Sequence, residues 1–377
     1  MTSIPDILIV GGGVIGLTCA LRLRQAGASV VLVEAAKPGH EASWAGAGIV
    51  PPGNPARATD SLDRLRALSS AAFESLSVEL RDATGIDNGY HVCGGLELLT
   101  RTDCDELTRL WNLEGIRYEL LSPQALAIDC PGAVAPEGRV AVLLPWMAQV
   151  RNPRHMQALA IAAAKIGVSI RPDTSVVGLL RDGDRIRGGV LADGTRVPAN
   201  RTLVCGGAWT GTLLQTVGFD PKIHPVHGQM LLYKAAPNAV RRILIEDKRY
   251  LVPRQDGHIL AGSTEEPQFG YDKRTTDGAK AEIRAFAESL VPQLKCVPIV
   301  HHWSGLRPAS PDGMPSIGPV PGVEGLYVAS GHHRAGIQLS PGTAMLAVDM
   351  LIHGGELWKP FRPDRLPEPP RLRAFRS

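Results

Sequence analysis

The chain has 377 residues, a length that usually corresponds to two domains. Hydrophobic residues make up 44% of it and charged residues 20%, proportions typical of a folded protein with a substantial core. The net charge of +3 is small, and the Lys and Arg residues are scattered rather than clustered with aromatic residues. Composition therefore argues against a disordered chain and against a nucleic-acid partner.

The cysteines and the apolar segments indicate the compartment. Six cysteines occur singly, without a Cys-x-x-Cys pair or a nearby set of Cys and His ligands, so we expect neither disulfides nor a metal site. The apolar N-terminus has no cationic leader, and no apolar run reaches the length of a membrane span. We expect a protein of the reducing cytoplasm without membrane contact.

The first predicted elements, over residues 7–34, are a strand, a glycine-rich turn, a helix and a second strand. Gly11, Gly13 and Gly16 form a Gly-x-Gly-x-x-Gly turn, which lets the N-terminus of a helix approach a pyrophosphate. Glu34 ends the second strand, where a carboxylate can bind both ribose hydroxyls of an adenosine. Because the flanking elements agree with the motif, it predicts a dinucleotide site rather than a turn that only packs a helix on a sheet.

Small residues dominate the next segment, Ala42 to Gly48, which suggests backbone lying close to a flat group or a phosphate. The elements predicted after it, in chain order, are a helix over 60–84, strands and short helices over 85–145, a helix over 156–166, a hairpin over 185–197, a strand over 201–205, antiparallel strands over 222–300, a strand over 325–330 and a helix over 340–353.

Three strands end in glycine turns, at Gly11, Gly206 and Gly331, and they are spread over the whole chain. This distribution predicts an α/β fold in which a Rossmann-like domain is assembled from discontinuous segments, beside an α+β domain with a mainly antiparallel sheet. The expected nucleotide domain comprises residues 1–84, 148–220 and 301–377, and the expected substrate domain comprises residues 85–147 and 221–300.

Several motifs together resemble the D-amino acid oxidase-like family of FAD oxidoreductases, and most closely its glycine oxidase branch, the ThiO type. The resemblance extends from Ile7 to about Met350. Several motifs in the order found in the family are far more specific than the first glycine turn alone. The motifs are Gly11–Gly16 with Glu34, Ala42–Gly48, Ala148–Arg154, Cys205–Trp209, Tyr250–Arg254, Gly305–Pro308 and Gly331–Gly336.

The resemblance implies FAD in an extended pose. We expect it to be non-covalent, because no cysteine lies near Arg307 in the sequence. The first glycine turn and Glu34 would hold the ADP half, Ser43 to Gly48 the pyrophosphate and the ring, and Val177 the adenine. The turn from Gly331 would face the flavin pyrimidine, where a helix N-terminus can stabilise negative charge. The implied cofactor-binding residues are Gly11, Gly13, Val14, Ile15, Gly16, Glu34, Ser43, Ala45, Gly46, Gly48, Val177, Gly206, Trp209, Gly331, His333, Arg334, Ala335, Gly336 and Ile337.

Flavin oxidation of an amino acid moves a hydride from the α-carbon to flavin N5, so the protein's main task is to hold the substrate. Arg307 stands at the family's carboxylate-binding position, and a guanidinium suits a carboxylate because it binds both oxygens and stays charged. Tyr250 stands where a hydroxyl adds a second contact, and Arg334 matches a position near flavin and substrate. His332 and His333 are candidates for a base, although a neutral amine needs none.

The reaction implied by the resemblance converts glycine, or a small N-substituted glycine such as sarcosine, to an imine, with O2 reduced to hydrogen peroxide. Hydrolysis then gives glyoxylate and ammonia or an amine. The resemblance also implies a role in thiamine thiazole biosynthesis and a homo-oligomer, most simply a tetramer. Lys248 and Arg249 would attract a more acidic or larger substrate, and the bulky pair Trp146–Met147 would narrow or line the entrance. The alternatives are a D-amino acid or N-alkyl amino acid oxidase or dehydrogenase, a flavin subunit that passes electrons to a partner, and an NAD-dependent dehydrogenase.

Overall fold

A computed structural model describes residues 4–367, so the ends of the predicted nucleotide domain, residues 1–3 and 368–377, lie outside the described residues. The strands are β1 (Ile7–Val10), β2 (Val30–Val33), β3 (Ile49–Val50), β4 (His91–Val92), β5 (Gly95–Leu99), β6 (Glu119–Leu121), β7 (Val140–Leu144), β8 (Ala148–Gln149), β9 (Ser169–Arg171), β10 (Val176–Asp182), β11 (Arg185–Leu191), β12 (Arg196–Pro198), β13 (Arg201–Val204), β14 (His224–Lys234), β15 (Ile243–Glu246), β16 (Arg249–Pro253), β17 (His258–Gly262), β18 (Ile299–Ala309), β19 (Ser316–Pro319) and β20 (Leu326–Ser330). The α-helices are α1 (Val14–Gln25), α2 (Ala42–Ala45), α3 (Ser61–Thr84), α4 (Arg101–Glu114), α5 (Pro123–Asp129), α6 (Asn152–Lys165), α7 (Thr210–Leu214), α8 (Asp277–Leu290) and α9 (Gly336–Ile352).

The first large sheet has six strands in the order β19-β20-β13-β1-β2-β9. Every neighbouring pair is parallel except β19 with β20 at one edge. Central strand β1 is apolar throughout because a parallel strand is covered on both faces. The carboxyl ends of β1, β13 and β20 meet at one edge of this sheet, and each is followed by a glycine turn. The predicted discontinuous Rossmann-like fold is confirmed.

Each face of this sheet is covered by a different layer. On one face, α1 packs against α6 and α9 around a core that includes Ile7 and Ile9. On the other, Leu8 and Val31 pack against Leu191 and Val197 of the three-stranded sheet β10-β11-β12. The alternation of side chains along β1 therefore divides its residues between two cores.

The second large sheet has eight strands in the order β18-β14-β17-β16-β15-β5-β7-β6 and is antiparallel except between β15 and β5. One face packs on α8, where Phe286 lies in the same core as Leu231 and Leu251. Met230 and Val252 face the opposite way and lie in a separate core that includes Trp111 of α4. This sheet is the mainly antiparallel one that the sequence predicts.

Strand β18 bears on the predicted domain limits. It pairs with β14 from His224 to Tyr233 and so belongs to the second sheet. The predicted limit, at residue 301, divides this strand. We propose that residues 299–309 belong to the substrate domain, and the other limits stay predictions.

Helix α9 begins at Gly336, four residues earlier than the start at 340 that the sequence predicts. The prediction placed Pro341 in the first turn, where its missing N–H costs nothing. Pro341 instead lies inside the helix, and the carbonyl of Ile337 that it leaves free accepts a hydrogen bond from the Ser340 hydroxyl at 2.9 Å. Because this side-chain hydrogen bond replaces the missing backbone one, α9 can begin next to the glycine turn at Gly331.

Candidate active site

The carboxyl ends of the parallel strands and the inner face of the eight-stranded sheet enclose a cavity of about 570 Å³. This volume is typical of a ligand site. The predicted catalytic residues Tyr250, Arg307 and Arg334 line it together, although they come from three distant segments. The predicted cofactor-binding residues that line it are Gly11, Gly13, Val14, Ile15, Glu34, Ser43, Ala45, Gly46, Gly48, Val177, Gly206, Trp209, His333, Arg334, Ala335, Gly336 and Ile337.

Gly16 and Gly331, also predicted to bind the cofactor, lie behind this lining. A Cβ atom on Gly16 would lie 1.9 Å from the carbonyl oxygen of Gly11, so Gly16 is what lets α1 pack against the first turn. Gly331 has a φ of +78°, and a Cβ there would lie 3.3 Å from Ile223. Both glycines shape the backbone beneath the site, and their part in cofactor binding stays a prediction.

The first glycine turn and Glu34 form one end of the cavity. The Glu34 carboxylate is fixed by two backbone N–H groups: Gly12 donates to Oε2 at 2.7 Å and Ala36 donates to Oε1 at 3.0 Å. The N–H of Val14, at the start of α1, donates to Ser43 Oγ at 2.9 Å. These hydrogen bonds hold three groups together: the N-terminus of α1, the Glu34 carboxylate and the small-residue segment Ala42–Gly48.

The N-terminal ends of two helices, α1 and α9, line the cavity. Neither helix has an acidic side chain in its first turn, so the partial positive charge of both ends remains available to an anionic group. With the fixed carboxylate of Glu34 and the close backbone of residues 45–48, these features fit FAD, which carries a ribose, a pyrophosphate and a ring that becomes anionic on reduction.

Buried Arg254 joins this cofactor end to the second sheet. Its Nη2 donates to the carbonyl oxygen of Ala47 at 2.8 Å, and its Nη1 donates to that of Val150 at 3.0 Å and to the Gln149 side chain. Burial lowers its pKa to about 10, which leaves it a cation at neutral pH. Asn152 Nδ2 also donates to the carbonyl oxygen of Ser43 at 2.8 Å, so the small-residue segment is held from both sides.

The two candidate histidines lie beside the start of α9. Burial lowers the pKa of His332 to about 3, and its Nε2 lies 2.9 Å from the hydroxyl oxygen of Thr343. Burial also lowers the pKa of His333, whose backbone N–H donates to the carbonyl oxygen of Pro308 at 2.8 Å. Both imidazoles are therefore neutral at physiological pH, and His332 is held inside the structure.

Arg307 is half-buried and reaches the cavity from β18. Its guanidinium lies directly over Gly228, where a Cβ atom would be 2.2 Å from both terminal nitrogens. Nη1 donates to the carbonyl oxygen of Thr264 at 3.1 Å. Burial lowers the pKa of Arg307 while nearby Tyr250 raises it. The result is a cation held on a backbone platform, a suitable anchor for a carboxylate.

Tyr250 and Arg334 complete this end of the cavity. The Tyr250 hydroxyl lies 3.4 Å from Ser263 Oγ and 3.6 Å from Met230 Sδ. The guanidinium carbon of Arg334 lies 5.9 Å from the centre of the Tyr250 ring, and Nη2 of Arg334 donates to the carbonyl oxygen of Lys248. Tyr250 and Arg334 thus lie against each other at this end of the cavity.

The two basic residues before Tyr250 have acidic partners. Lys248 Nζ lies 2.8 Å from Glu265 Oε2, and Arg249 lies 3.7 Å from Glu282. The contacts from His333 and Lys248 hold the pKa of Glu265 well below its usual range, so this carboxylate stays ionised. The expectation that the basic pair attracts an acidic substrate is weakened, because both charges are compensated.

The bulky pair Trp146–Met147 divides between surface and site. Met147 lines the cavity, whereas Trp146 is 59% exposed and does not.

Within residues 4–367, the structure contains no group of three or more His, Cys, Asp or Glu side chains placed to hold a metal ion. Over the same range, none of the helices combines the length and the apolar composition that crossing a membrane requires.

Three features of the site escaped the sequence analysis. Gly228 supports the anchor, Glu97 lines the cavity from β5, and Arg254 ties the cofactor segment to the sheet. Only Arg254 left a signal, since it ends the motif Tyr250–Arg254. The places of Gly228 and Glu97 in the site depend on strand register, which cannot be read from the sequence.

Comparison with known proteins agrees with this geometry. The model of the FAD dependent oxidoreductase family matches residues 6–350. The glycine oxidase of Pseudomonas aeruginosa is 40% identical over 350 residues, which cover 92% of this chain and 94% of that protein. A bifunctional protein ThiO/ThiG of Trichormus variabilis is 29% identical over 92% of this chain and 52% of its own length. The crystal structure of the glycine oxidase of Geobacillus kaustophilus superposes with a TM-score of 0.88 at 31% identity, covering 97% of this chain and all of that one.

The family match covers both large sheets, the glycine turns and the cavity between them. The nicotinamide alternative is therefore wrong, and the cofactor is FAD. This chain belongs to the FAD dependent oxidoreductase family.

Proposed function

We propose that this protein is an amine oxidase that acts on glycine or on a small N-substituted glycine such as sarcosine. The observation that carries the proposal is the meeting of Arg307 and Tyr250 in the cavity that also contains the cofactor-binding turn. The relatives named glycine oxidase, which this chain matches over nearly their whole length, support the same substrate class.

The substrate carboxylate is the group that these residues bind. Arg307 offers two parallel N–H donors from a half-buried, permanently charged guanidinium. The Tyr250 hydroxyl adds a third donor, and Arg334 holds the Tyr250 ring in place. Binding the carboxylate at two points fixes the direction of the α-carbon, which is the protein's main contribution to such a reaction.

FAD, when bound, supplies the acceptor for the hydride of the α-carbon. We infer that the amine binds in its neutral form, having left its ammonium proton to solvent, so that no charged base is needed during hydride transfer. Burial lowers the pKa of His332 and of His333, so neither imidazole adds a positive charge beside the amine. The two electrons reduce O2 to hydrogen peroxide, and the imine product takes up water to give glyoxylate and ammonia or an amine. The cavity side chains hold and orient the substrate throughout.

Three further properties belong to the proposal. FAD is held without a covalent bond: Cys205, which lines the cavity, is a protonated thiol because its contact with Cys19 and its burial raise its pKa. The glycine imine supplies the thiazole of thiamine, an assignment supported by the relative named ThiO/ThiG. The protein acts in the cytoplasm, a proposal supported by the single, unpaired cysteines, and as a tetramer, a proposal that rests on the family resemblance alone.

The test is product analysis with the purified yellow protein. Oxygen consumption, peroxide and glyoxylate are measured with glycine, sarcosine, D-alanine and N-ethylglycine. We expect glyoxylate and peroxide in equal amounts from glycine or sarcosine. Faster turnover of D-alanine would replace the proposal by the D-amino acid alternative. Flavin that is reduced by substrate yet reacts with an artificial electron acceptor and not with O2 would favour a subunit that serves a partner.

A further inference from the structure

Glu266 is a partly buried carboxylate near the substrate anchor that the proposed reaction does not use. It comes four residues after the end of β17, and its backbone N–H donates to the carbonyl oxygen of His227 on β14 at 2.9 Å. Its side chain is 17% exposed and does not line the active-site cavity. Any influence of Glu266 on the substrate therefore passes through other residues.

One oxygen of this carboxylate contacts three side chains. Glu266 Oε2 accepts hydrogen bonds from the Thr264 hydroxyl at 2.6 Å and from Gln229 Nε2 at 2.9 Å. His227 Nδ1 lies 3.1 Å from the same oxygen. Burial alone would raise the pKa of Glu266, but these three contacts outweigh it and lower the pKa, so the carboxylate is ionised at neutral pH. Because an ionised carboxylate only accepts hydrogen bonds, His227 carries a proton on Nδ1.

Thr264 connects this oxygen to the substrate anchor. Thr264 is buried, and its hydroxyl accepts a hydrogen bond from the backbone N–H of Gln229 at 2.9 Å while it donates to Glu266. The carbonyl oxygen of Thr264 accepts a hydrogen bond from Arg307 Nη1 at 3.1 Å. Thr264 is therefore fixed through its hydroxyl, and its carbonyl holds the guanidinium.

Arg307 needs this contact because the surface beneath it has no group that orients it. The guanidinium lies over Gly228, which offers backbone without a side chain, so a planar group is free to turn within its own plane. The hydrogen bond to Thr264 opposes that rotation and leaves other N–H donors for the two oxygens of a carboxylate. Binding both oxygens at once requires a defined direction of the guanidinium.

The position of Glu266 is in turn set by the fold. Gln229, on β14, is fully buried, and its Oε1 accepts a hydrogen bond from the backbone N–H of Thr276, the N-cap residue of α8, at 2.8 Å. The same oxygen lies 3.0 Å from His302 Nε2 on β18. Glu266 is thereby connected to two strands of the second sheet and to the helix that covers it.

We propose that Glu266 is a positioning residue, which through the Thr264 hydroxyl fixes the carbonyl that orients Arg307 toward the substrate carboxylate. The proposal rests on the proposed function, in which Arg307 binds that carboxylate. An effect of charge alone would have the opposite sign. A negative charge near the anchor repels an anionic ligand, so removing it would strengthen binding unless the orientation of Arg307 were lost.

The experiment measures the binding of acetate to the FAD-loaded protein by the change in visible flavin absorbance. Acetate has the carboxylate of glycine and no amine, so it reports on the anchor alone. Thr264→Val keeps the size of the side chain without the hydroxyl and should raise the dissociation constant roughly tenfold. Thr264→Ser keeps the hydroxyl and should stay within about twofold of the wild type. Glu266→Gln still accepts hydrogen bonds but without the charge, and should raise the dissociation constant roughly threefold.

Two further variants separate positioning from a general loss of structure. Glu288→Gln is the matched control, because the Glu288 side chain is 16% exposed and accepts a hydrogen bond at 2.6 Å from Arg284 on α8, away from the cavity lining. It should leave acetate binding unchanged. The double variant Thr264→Val/Glu266→Gln should have the dissociation constant of Thr264→Val alone, because the hydroxyl through which Glu266 acts is already absent.

An unchanged or lower dissociation constant in Glu266→Gln overturns the proposal, and so do equal effects of Thr264→Ser and Thr264→Val or additive effects in the double variant. If Glu266→Gln does not fold, the two Thr264 variants decide, since they retain the carboxylate and differ in the hydroxyl. Acetate that binds the wild type and all variants equally contradicts only the role of Glu266. Acetate that does not bind the wild type contradicts the carboxylate anchor, and with it the proposed function.

Discussion

The two ends of the cavity are built from different parts of the chain. The proposed cofactor end consists mainly of backbone, with the Glu34 carboxylate beside it: glycine turns at the ends of parallel strands, two helix N-termini and a run of small residues. The substrate end consists of side chains on the face of a largely antiparallel sheet, with Arg307 on β18, Tyr250 on β16 and Glu97 on β5. In the proposed function, the first end recognises a fixed molecule mainly by shape and dipole, and the second recognises a variable molecule by individual side chains.

This difference has a consequence for function. A backbone site tolerates few changes, because adding any side chain fills the space that the cofactor needs. A side-chain site changes its preference through one residue while the fold stays the same. Substitutions at the cofactor end should therefore remove FAD, and substitutions at the substrate end should change kinetic constants with FAD still bound.

The largest effect is expected from Gly13→Val. A Cβ at this position would already lie 3.2 Å from Ser43 Oγ, and the methyl groups of valine would add bulk to the cavity lining beside the N-terminus of α1, where we propose that the phosphates bind. The purified variant should be colourless and release no flavin on heating. Gly278→Val, at a helix position with nothing within 4 Å, is the control and should stay yellow. A yellow Gly13→Val protein would refute the phosphate assignment.

Arg307→Ala should have the next largest effect and should separate the two ends most clearly. Losing a charge-assisted carboxylate contact costs about 2–4 kcal/mol, so kcat/KM for glycine should fall by roughly 30- to 1000-fold, mainly through KM. FAD content, measured by visible absorbance, should be unchanged. Arg307→Lys keeps the charge but loses the paired donors, so its kcat/KM for glycine should lie between the values of the wild type and of Arg307→Ala. An unaltered KM would remove Arg307 from the substrate site.

Arg254→Met tests the connection between the two ends. It leaves the carbonyl oxygens of Ala47 and Val150 without their buried donor, so the free energy of unfolding should fall by about 2–3 kcal/mol. The dissociation constant for FAD, measured by fluorescence titration, should rise by about tenfold because Ala47 lines the cavity. Arg151→Met, which breaks a more exposed pair with Asp256, should change stability by less than about 1 kcal/mol. Equal effects of the two substitutions would contradict a special role for Arg254.

Tyr250→Phe should give the smallest change. Removing one hydroxyl contact to the carboxylate costs about 1 kcal/mol, or roughly a three- to tenfold loss of kcat/KM for glycine, with FAD retained. Tyr118→Phe, whose hydroxyl accepts a hydrogen bond from Asn112 Nδ2 at 3.1 Å and which does not line the cavity, serves as the control in steady-state assays. Wild-type kinetics in Tyr250→Phe would reduce Tyr250 to a packing residue.

The same contrast explains what the sequence could predict. The cofactor end could be recognised because its motif is contiguous: Gly11, Gly13 and Glu34 lie in one strand-helix-strand unit. The family motifs also pointed to Arg307, Tyr250 and Arg334. Gly228 and Glu97 could not be recognised from the sequence, because their places in the site depend on strand pairing. Gly228 is opposite Gly305, and Glu97 is opposite Ile245.

Two limits of local patterns appear in the fold itself. The predicted domain limit at residue 301 divides β18, which pairs with β14, a contact between segments far apart in the chain. The predicted start of α9 is four residues too late: Pro341 lies inside the helix, and the Ser340 hydroxyl donates to the carbonyl that the proline leaves free. In both cases a contact that the sequence pattern does not encode decided the outcome.

The most direct test of the central claim is to mix the yellow protein with glycine, sarcosine and D-alanine separately in the absence of O2, while following the visible flavin absorbance. The account predicts that glycine or sarcosine bleaches the flavin fastest, and that Arg307→Ala bleaches far more slowly at the same substrate concentration. Intact flavin that none of the three substrates bleaches, or bleaching that is fastest with D-alanine, would contradict it.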